Sequence, residues 1–504
     1  MGSTFAGLEI SKRGMSAQQS ALYTTGHNIS NANTPGYTRQ RVSFEATQPF
    51  PYPGLENPAI AGQLGTGVEA ATVERVRDSF LDVQFRGENT KTGYYNARAQ
   101  ALEKMEEIMN EPSETGLSKT LDRFWQSLQD LAANPTNSGA RSVVKERGTA
   151  VAETFKYLST SLKQVQEDMK SELDLSAKQV QSLAAQLGNI NKQISEIEPH
   201  GYLPNDLYDE RDRIIDELST LVPIKVGEPK KSGGNALPIA EGMAVIEIVG
   251  KDGASLGKLV DGTSASTVAV NYQDGLVSGI SLNGAAINLT ELQNTGKIQG
   301  LANTHGYIDN GAEKGVYTEM LNDLDSLAES FAAEFNKVHS DGYNLKHFET
   351  PPKADGTGVD FFTYTGGKGA AESLQLSAKI MESPDYIAAS SKASGQIGNG
   401  DNAIALGEVK NGTISINGKS TTIQNYYEGM IGNMAVQAQE ANRMLSNSTI
   451  LKDSVELRRQ SVSAVSLDEE MTNMIQFQHA YNASARMISM QDELLDTIIN
   501  KMGL

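Results

Sequence analysis

VAETFKYLSTSLKQVQEDMKSELDLSAKQVQSLAAQLGNINKQISEI, residues 151–197, decides the fold class. Apolar side chains return every three or four positions along it: Val151, Phe155, Leu158, Leu162, Val165, Met169, Leu173, Val180, Leu183, Leu187, Ile190, Ile194 and Ile197, with Ser176 as the polar member of the row. That is the period of a helix with one face on a partner. The spacing is heptad except at Val165–Met169–Leu173, where two steps of four follow one another. Such a stutter locally unwinds a left-handed supercoil. The pattern predicts one long helix over about 137–197, ended by Pro199 and Gly201.

Working outward, a shorter helix is expected over 205–221, carrying Arg211 and Asp212. From Pro223 to about Gly300 the period changes to two. Gly, Asn and Asp punctuate alternating runs such as 244–249 and 267–270, the pattern of a β-rich insert. Helix returns at about 316–340, where Met320, Leu324, Leu327, Phe331 and Val338 face one way. Residues 345–421 are mixed and rich in Gly and Ser, and a further helix is expected from Ile423 to about Arg459.

Both ends of the chain are helical. Over about 4–30, Phe5, Leu8, Met15, Leu22 and Ile29 share a seam that Lys12, Gln19 and Gly26 weaken. The helix stops in the cluster Asn31-Ala32-Asn33-Thr34-Pro35-Gly36, followed by a strand reading from Tyr37 to Ala46 with Val42, Phe44 and Ala46 on one face. Pro35 and Gly36 suit the two central positions of a type II turn, where glycine supplies φ > 0. At the other end, Ser466-Leu467-Asp468-Glu469 has the form of a capping box, in which the serine accepts from the N3 amide and the glutamate reaches back. The seam that follows is Leu467, Met471, Met474, Gln478, Tyr481, Ala485, Ile488, Asp492, Leu495, Ile499 and Met502. A terminal helix of this kind is marginal without a partner face, and the other terminal helix is the nearest candidate. Lys12, Arg13, Arg39 and Arg41 outnumber acids in the first 50 residues, whereas Asp468, Glu469, Glu470, Asp492, Glu493 and Asp496 outnumber Arg486 and Lys501 in the last 44. The ends are therefore mildly complementary in charge. A seam pattern alone leaves two readings open, an intramolecular hairpin or a surface for other subunits.

Composition narrows the function. The chain has 504 residues and a net charge of −19, with no basic run. This argues against a nucleic-acid binder or a binder of anionic membranes. There is no cysteine, which excludes a disulfide scaffold, a cysteine-ligated metal and a thiol nucleophile. No run of about 18 apolar residues exists to span a membrane. The six histidines, His27, His200, His305, His339, His347 and His479, never pair at i,i+4, so no zincin motif is present. The glycine clusters at 65–67 and 366–369 lack the full phosphate-loop pattern, and no Gly-x-Ser-x-Gly elbow occurs. Acid pairs such as Glu106-Glu107 are better explained as solvated helix faces than as catalytic carboxylates. Neither a catalytic site nor a cofactor or metal site is expected.

Two stretches carry a resemblance. Ala21–Tyr37, ALYTTGHNISNANTPGY, resembles the N-terminal signature of the bacterial flagellar axial proteins, the family of rod, hook and hook-associated subunits. Ser463–Met471, SAVSLDEEM, and Gln478–Arg486, QHAYNASAR, resemble its C-terminal signature. Tyr23-Thr24-Thr25 departs from the smaller residues usual there. The form of the second signature is closest to the hook-associated members. So are Arg39-Gln40 after the turn, Asn205-Asp206-Leu207 with Arg211-Asp212, and Asn336-Lys337-Val338-His339 with Gly342. The resemblance implies a non-enzymatic structural subunit joining hook to filament. It would form a homo-oligomeric ring, with hook protein below and a second junction protein above. Export would run through the flagellar type III channel without a cleaved signal peptide, helped by a cytosolic chaperone on the C-terminal helix. The alternatives are another axial protein, of hook or distal rod, or a binding module or enzyme carried by the variable insert.

The expected architecture is mainly α with a β-rich insert: long coiled-coil helices from both termini, a helical rod domain, and inserted β and mixed domains. Its division is 1–60 for the N-terminal axial helix, turn and strand; 61–222, 301–344 and 422–460 for the rod domain; 223–300 for the β-rich insert; 345–421 for the variable segment; and 461–504 for the C-terminal axial helix. The candidate assembly residues are Phe5, Leu8, Met15, Leu22 and Ile29 on the first helix. On the last they are Ser466, Leu467, Glu469, Met471, Met474, Tyr481, Ala485, Ile488, Leu495, Ile499 and Met502. Asn33, Thr34, Pro35, Gly36 and Tyr37 form the candidate hinge turn between them and the body.

Overall fold

The computed structural model describes residues 5–50, 62–109, 111, 113–292, 295–349, 356–392 and 397–501. The chain begins α1 (Ala6–Asn31), β1 (Gln40–Ala46), β2 (Val68–Arg75), α2 (Ser79–Met109), α3 (Leu117–Ala133), α4 (Ser138–Ile197), α5 (Asn205–Leu221). Seven strands follow: β3 (Ile224–Val226), β4 (Val245–Val249), β5 (Ser255–Asp261), β6 (Ser264–Ala265), β7 (Val268–Gln273), β8 (Leu276–Leu282) and β9 (Ala285–Ile287). Then come α6 (Lys297–His305), β10 (Tyr307–Asp309), β11 (Ala312–Lys314) and α7 (Val316–Ser340). The mixed segment holds β12 (Phe362–Thr363), α8 (Ala370–Ser373), β13 (Gln375–Leu376), α9 (Ala378–Glu382), α10 (Asp401–Glu408), β14 (Ile414–Ile416) and β15 (Lys419–Thr421). The chain closes with α11 (Ile423–Ser463) and α12 (Leu467–Asp496).

The 60 residues of α4 make a rod about 90 Å long. Asn137 caps it by accepting from the amides of Gly139 and Ala140. Its seam serves two cores. Val151 to Met169 pack with α3, α7 and the mixed segment, around the rings of Phe124, Trp125, Phe155, Phe331, Phe335, Phe361 and Phe362. Leu173 to Ile194 pack with α5, α6 and the strands of the β insert. The stutter at Val165–Met169–Leu173 thus falls where the seam changes partners.

Two sheets make up the insert. One is antiparallel in the order β3-β4-β5-β6; in the other β7, β8 and β9 are antiparallel neighbours, β10 pairs β8 in parallel and β11 closes the edge. Two of those strands come from 307–314, beyond residue 300. Two buried polar residues on the helical side pin the insert. Asn191 accepts from the amide of Ala244 (3.0 Å) and donates to the carbonyls of Ala244 (2.9 Å) and Gly262 (2.7 Å). Glu198 accepts from the Tyr208 hydroxyl (2.5 Å), the Gly242 amide (2.9 Å) and the Ser232 hydroxyl.

Helix α2 has no legible seam over its first half, where the buried face holds Arg86, Thr90, Gly93 and Ala97; large apolar residues, Leu102, Met105 and Met109, are buried towards its end. The glycine and alanine let neighbours come close. It runs antiparallel to α11, with Asp82 near Arg459 at one end and Leu102 among Ala438 and Ala441 further along. A Cβ on Gly93 would stand 2.2 Å from the carbonyl oxygen of Thr220 at the end of α5, and one on Gly300 of α6 would stand 2.7 Å from that of Tyr94.

Strand β1 pairs with β2, which nothing in the sequence reading anticipates. The expected face of Val42, Phe44 and Ala46 does not hold as a buried unit. Val42 is buried, but Phe44 and Ala46 are exposed, and the Phe44 ring meets Phe477 of α12 edge to face at 6.1 Å. The ladder also carries an irregularity between Ser43 and Phe44.

The packing at Gly93 makes a prediction. Gly→Ala inside a helix ordinarily stabilises by about 1 kcal/mol. Gly93→Ala is expected to destabilise by about 1–3 kcal/mol, because the new methyl meets a backbone carbonyl that cannot swing away. Urea unfolding of the full chain checks this; a raised midpoint would refute the packing.

Candidate assembly interface

The two ends of the chain meet as an antiparallel helical pair. A Cβ on Gly7 would lie 3.0 Å from Gln491, one on Gly14 would lie 3.3 Å from Ser484, and Asn28 reaches Glu470 at 3.1 Å. Each step of seven on α1 is matched by a step of seven on α12. The buried line of α1 is Ser11, Ala17, Ala21, Thr25 and Asn28, with Gly7 and Gly14 in close approach. These small residues let the α12 backbone approach closely.

The seam read from the sequence is therefore not the line that packs within the chain. Leu8, Met15, Leu22 and Ile29 flank the buried line and stay partly exposed, while Phe5 is 57% exposed. On α12, Met474, Tyr481, Ala485, Ile488 and Leu495 are partly buried. Leu467, Met471 and Ile499 are exposed, at 49%, 54% and 66%, and Met502 lies outside the described residues. Periodicity could not settle the choice. Small residues fill the packed line on α1, whereas the larger apolar ones beside it stay partly exposed. Ile475, Met487, Met490 and Leu494 of α12, and Ile498 just beyond it, join that exposed set.

A buried polar hub ties the base of the pair. Asn28 accepts from the amide of Gln40 (2.9 Å) and the hydroxyl of Tyr37 (2.8 Å), and donates to the carbonyl of Gln40 (2.8 Å) and to Glu470 (3.1 Å). Glu470, 2% exposed, also accepts from Arg39 Nε at 2.8 Å. Arg39 gives a second bond to Glu469 (2.8 Å), and its amide donates to the carbonyl of Ser463. The capping box forms in half. Ser466 accepts from the Glu469 amide at 3.5 Å, but the Glu469 carboxylate turns to Arg39. Burial, with Asp206, Asp209 and Glu470 nearby, pushes the Tyr37 hydroxyl well above the ordinary phenol range.

The candidate hinge is a turn. The amide of Tyr37 donates to the carbonyl of Thr34, and Gly36 has φ +82°, which fits the type II geometry at Pro35-Gly36. Asn33, Thr34, Pro35 and Gly36 are exposed. The residues after it fasten to α5. Thr38 donates from its amide to Asp209, Gln40 donates to Asp206, and Asn205 donates to Gln40 and to the carbonyl of Val73.

Behind this joint lies a buried ion network. Arg75 bonds Asp209 (2.8 Å), Asp212 (2.9 Å) and Glu241 (2.5 Å); Arg77 bonds Asp82 (2.6 Å) and Asp212 (3.1 Å). Arg86 bonds Asp212 (3.2 Å) and Asp216 (2.7 Å), Arg459 bonds Asp216 (2.5 Å), and Arg211 bonds Glu241. Burial alone would raise the Asp212 carboxyl. Arg77, Arg211, Arg75 and Arg86 outweigh it and hold the group far below the usual carboxylate range. The network joins β2, α2, α5 and α11 at one point, and every arginine in it faces at least one carboxylate. It offers charge pairing and shape, with no nucleophile. Among the described residues no group of three His, Asp or Glu is placed to hold a metal ion. Sequence reading singled out Arg211-Asp212 as a pair but missed Asn28, Arg39 and Glu470 as a hub, since only the fold brings residues 28, 39 and 470 together.

Similarity to known proteins follows the same outline. A family model for the flagellar hook-associated protein FlgK helical domain matches residues 102–362. A model for flagella basal body rod proteins matches 8–38, which is α1 and its turn, and one for the C-terminal part of basal body rod FlgEFG proteins matches 459–501, the end of α11 and α12. Flagellar hook-associated protein 1 of Bacillus subtilis is 49% identical over 514 aligned positions, covering 100% of this chain and 99% of the relative. The protein of that name from Salmonella typhimurium is 25% identical, covering 97% and 98%. A solved structure of the flagellar hook junction protein FlgK from Burkholderia pseudomallei superposes with a TM-score of 0.57 at 15% identity, over 77% of this chain and 100% of that one. With one family model spanning more than half the chain and a full-length relative at near half identity, the chain belongs to the family of flagellar hook-associated protein 1, FlgK, a family of structural components of the flagellum and not of enzymes.

Proposed function

We propose that this chain is a subunit of a ring at the junction of hook and filament, with the α1–α12 pair on the axis and the rod domain and inserts outside. Hook protein is its neighbour below and a second junction protein its neighbour above. The observation that carries this is the pairing of the two chain ends into one rod whose outer face is apolar. Leu467, Met471, Ile475, Met487, Met490 and Leu494 on α12, Ile498 and Ile499 in the turn that follows it, Ile10 on α1 and Phe5 just before it are all exposed in the single chain. A stripe of that extent is a contact surface in search of a neighbour. The same residues Phe5, Leu8, Met15, Leu22 and Ile29 that flank the intrachain line are placed to meet adjacent copies. Met-rich surfaces adapt to imperfectly matched neighbours, which suits a layer between two different proteins.

The remaining assignments rest on this reading. The axial unit is 1–60 with 461–504; the rod domain is 61–222, 301–344 and 422–460; the outer domains are 223–300 and 345–421. The chain leaves the cell through the flagellar type III channel, and a cytosolic chaperone holds the C-terminal helix beforehand. No helix among the described residues is long and apolar enough to cross a membrane. Asn33, Thr34, Pro35, Gly36 and Tyr37 act as the hinge that sets the axial pair against the rod domain, with Gly36 lying over the Arg213 side chain.

Deletion of the gene tests the level of assembly. Hooks are expected to form normally while filament subunits spill into the medium; loss of the hook itself would point to a hook or distal rod protein. Met471→Asp with Leu494→Asp is expected to abolish incorporation and motility while the melting temperature of the purified chain stays within about 0.5 kcal/mol equivalent of wild type, as for exposed sites. A large loss of stability would place those side chains in the monomer core instead. Gly36→Val forces a β-branched residue to φ +82° and is expected to cost about 1–3 kcal/mol at the turn and to impair motility in a swarm assay. Normal swarming would remove the hinge from the assembly surface.

A further inference from the structure

The motif Asn336–His339 with Gly342 lies far from the axial pair in sequence, and the proposed assembly does not use it. In the structure it is a polar spine on the end of α7. Asn336 accepts from the amides of Phe361 (3.0 Å) and Phe362 (2.8 Å) and donates to the carbonyl of Phe362 (2.7 Å). One turn on, His339 is 1% exposed, and both ring nitrogens are engaged with backbone. Nδ1 lies 2.6 Å from the carbonyl of Val359, and Nε2 accepts from the amide of Ala388 at 3.0 Å. These two bonds require the neutral ring with its proton on Nδ1.

Ala388 belongs to a strap, Pro384 to Ser390, whose Tyr386, Ile387 and Ala389 side chains pack into the aromatic core while its backbone is held by polar contacts. Its carbonyl accepts from Asn402 Nδ2 (2.7 Å), and Asn402 fits only because residue 342 is glycine: a Cβ there would lie 2.1 Å from that nitrogen. Tyr343 and Ser390 exchange two backbone bonds. The carbonyl of Ile387 accepts from Arg141 at 2.7 Å, and those of Pro384 and Asp385 lie 3.4 and 3.5 Å from the same nitrogen. Arg141 is itself 1% exposed, and its other bond, at 2.7 Å, goes to the carbonyl of Pro135. A buried guanidinium held by carbonyl oxygens therefore already stands at the strap.

We propose that His339 is an acid-sensitive clasp: while neutral it fastens the 384–390 strap to α7, and protonation releases it. The protonated ring has no lone pair left for the Ala388 amide, so a donor would face a donor. It would also place a second cation beside Arg141, where both side chains are buried. The charged groups around it do not relieve this. Arg141 comes from α4; Asp385, on the strap, pairs with Lys346 at 3.3 Å; Lys145 of α4 donates to the carbonyl of Met381; and Asp360, beside Val359, is exposed. Burial, reinforced by Arg141 and opposed by the Val359 bond, pushes the ring down to about 4. The sign follows from linkage. The open strap binds the proton near the ordinary value of about 6.5 and the closed strap does not, so the clasp holds fully above that value and weakens as pH falls towards 4.

Hydrogen exchange of the full chain, corrected for the intrinsic pH dependence of exchange, tests this at the amides of 384–390. Between pH 7 and pH 5 the opening constant of the strap is expected to rise about twentyfold, while amides of the α3–α4 core stay protected. His339→Gln keeps an acceptor for Ala388 and a donor for Val359 without a titrating ring, and is expected to make opening independent of pH over that range. Wild-type exchange that is flat from pH 7 to pH 5, or an equal rise in the Gln variant, would overturn the clasp. Should the variant fold poorly, ring nitrogen resonances of wild-type His339 decide. A neutral Nδ1-protonated ring persisting below pH 5.5 is required, and a ring that titrates near 6.5 overturns the proposal.

Discussion

A helix of 60 residues exposes more apolar seam than one core can cover. That constraint organises this molecule. Helix α4 is gripped by aromatic packing over its first half and by the β insert and α5 over its second. Everything else is hung on it. The chain leaves the rod and returns to it twice, which is why α7 and α11 come from parts of the sequence distant from α2, α3 and α4. The stutter at Met169 reconciles a straight long helix with two partners that approach from different directions.

The joint between this rod and the axial pair is of another kind. It is made of Asn28, Tyr37, Thr38, Arg39, Gln40, Asp206, Asp209 and Glu470, almost without apolar packing. Polar networks specify geometry more than they add stability, because each unsatisfied partner would cost more than each satisfied bond gains. A junction subunit needs a defined angle between its axial and outer parts, and the ion network of Asp212 with its arginines extends the same strategy inward. The β insert, pinned by Asn191 and Glu198, and the outer strap, pinned by His339 and Arg141, repeat it at the periphery. Apolar seams build each body, and buried polar residues attach one body to the next.

Much of the fold was legible in the residues. The helix over 138–197, the one over 316–340 and the capping serine at 466 follow from period and caps, which are local rules. What period could not do was choose between adjacent faces of one helix. On α1 the larger apolar residues mark one line, yet the chain packs the neighbouring line of Gly, Ser, Ala and Thr, because close approach to α12 is worth more there than a bulky contact. The first half of helix α2 was missed for a related reason: Arg86, Thr90, Gly93 and Ala97 on its buried face carry no hydrophobic signal. Helix α3 was missed although it does carry a seam, Leu117, Leu121, Phe124, Leu128 and Leu131.

By itself the sequence determined that the chain is mainly helical with a β insert, that its two ends are helices in need of a partner face, that it lacks the residues for thiol chemistry, and, through two signatures in register, which family it resembles. These depend on residue identity and short-range spacing. Only the tertiary structure decided that the ends pair with each other in antiparallel register, that the larger apolar stripe is left facing outward, and that Asn28, Arg39 and Glu470 form one hub. It alone closed both nitrogens of His339 onto backbone. Each of these joins residues tens to hundreds of positions apart, and a buried hydrogen bond between such groups has no trace in the periodicity of either segment.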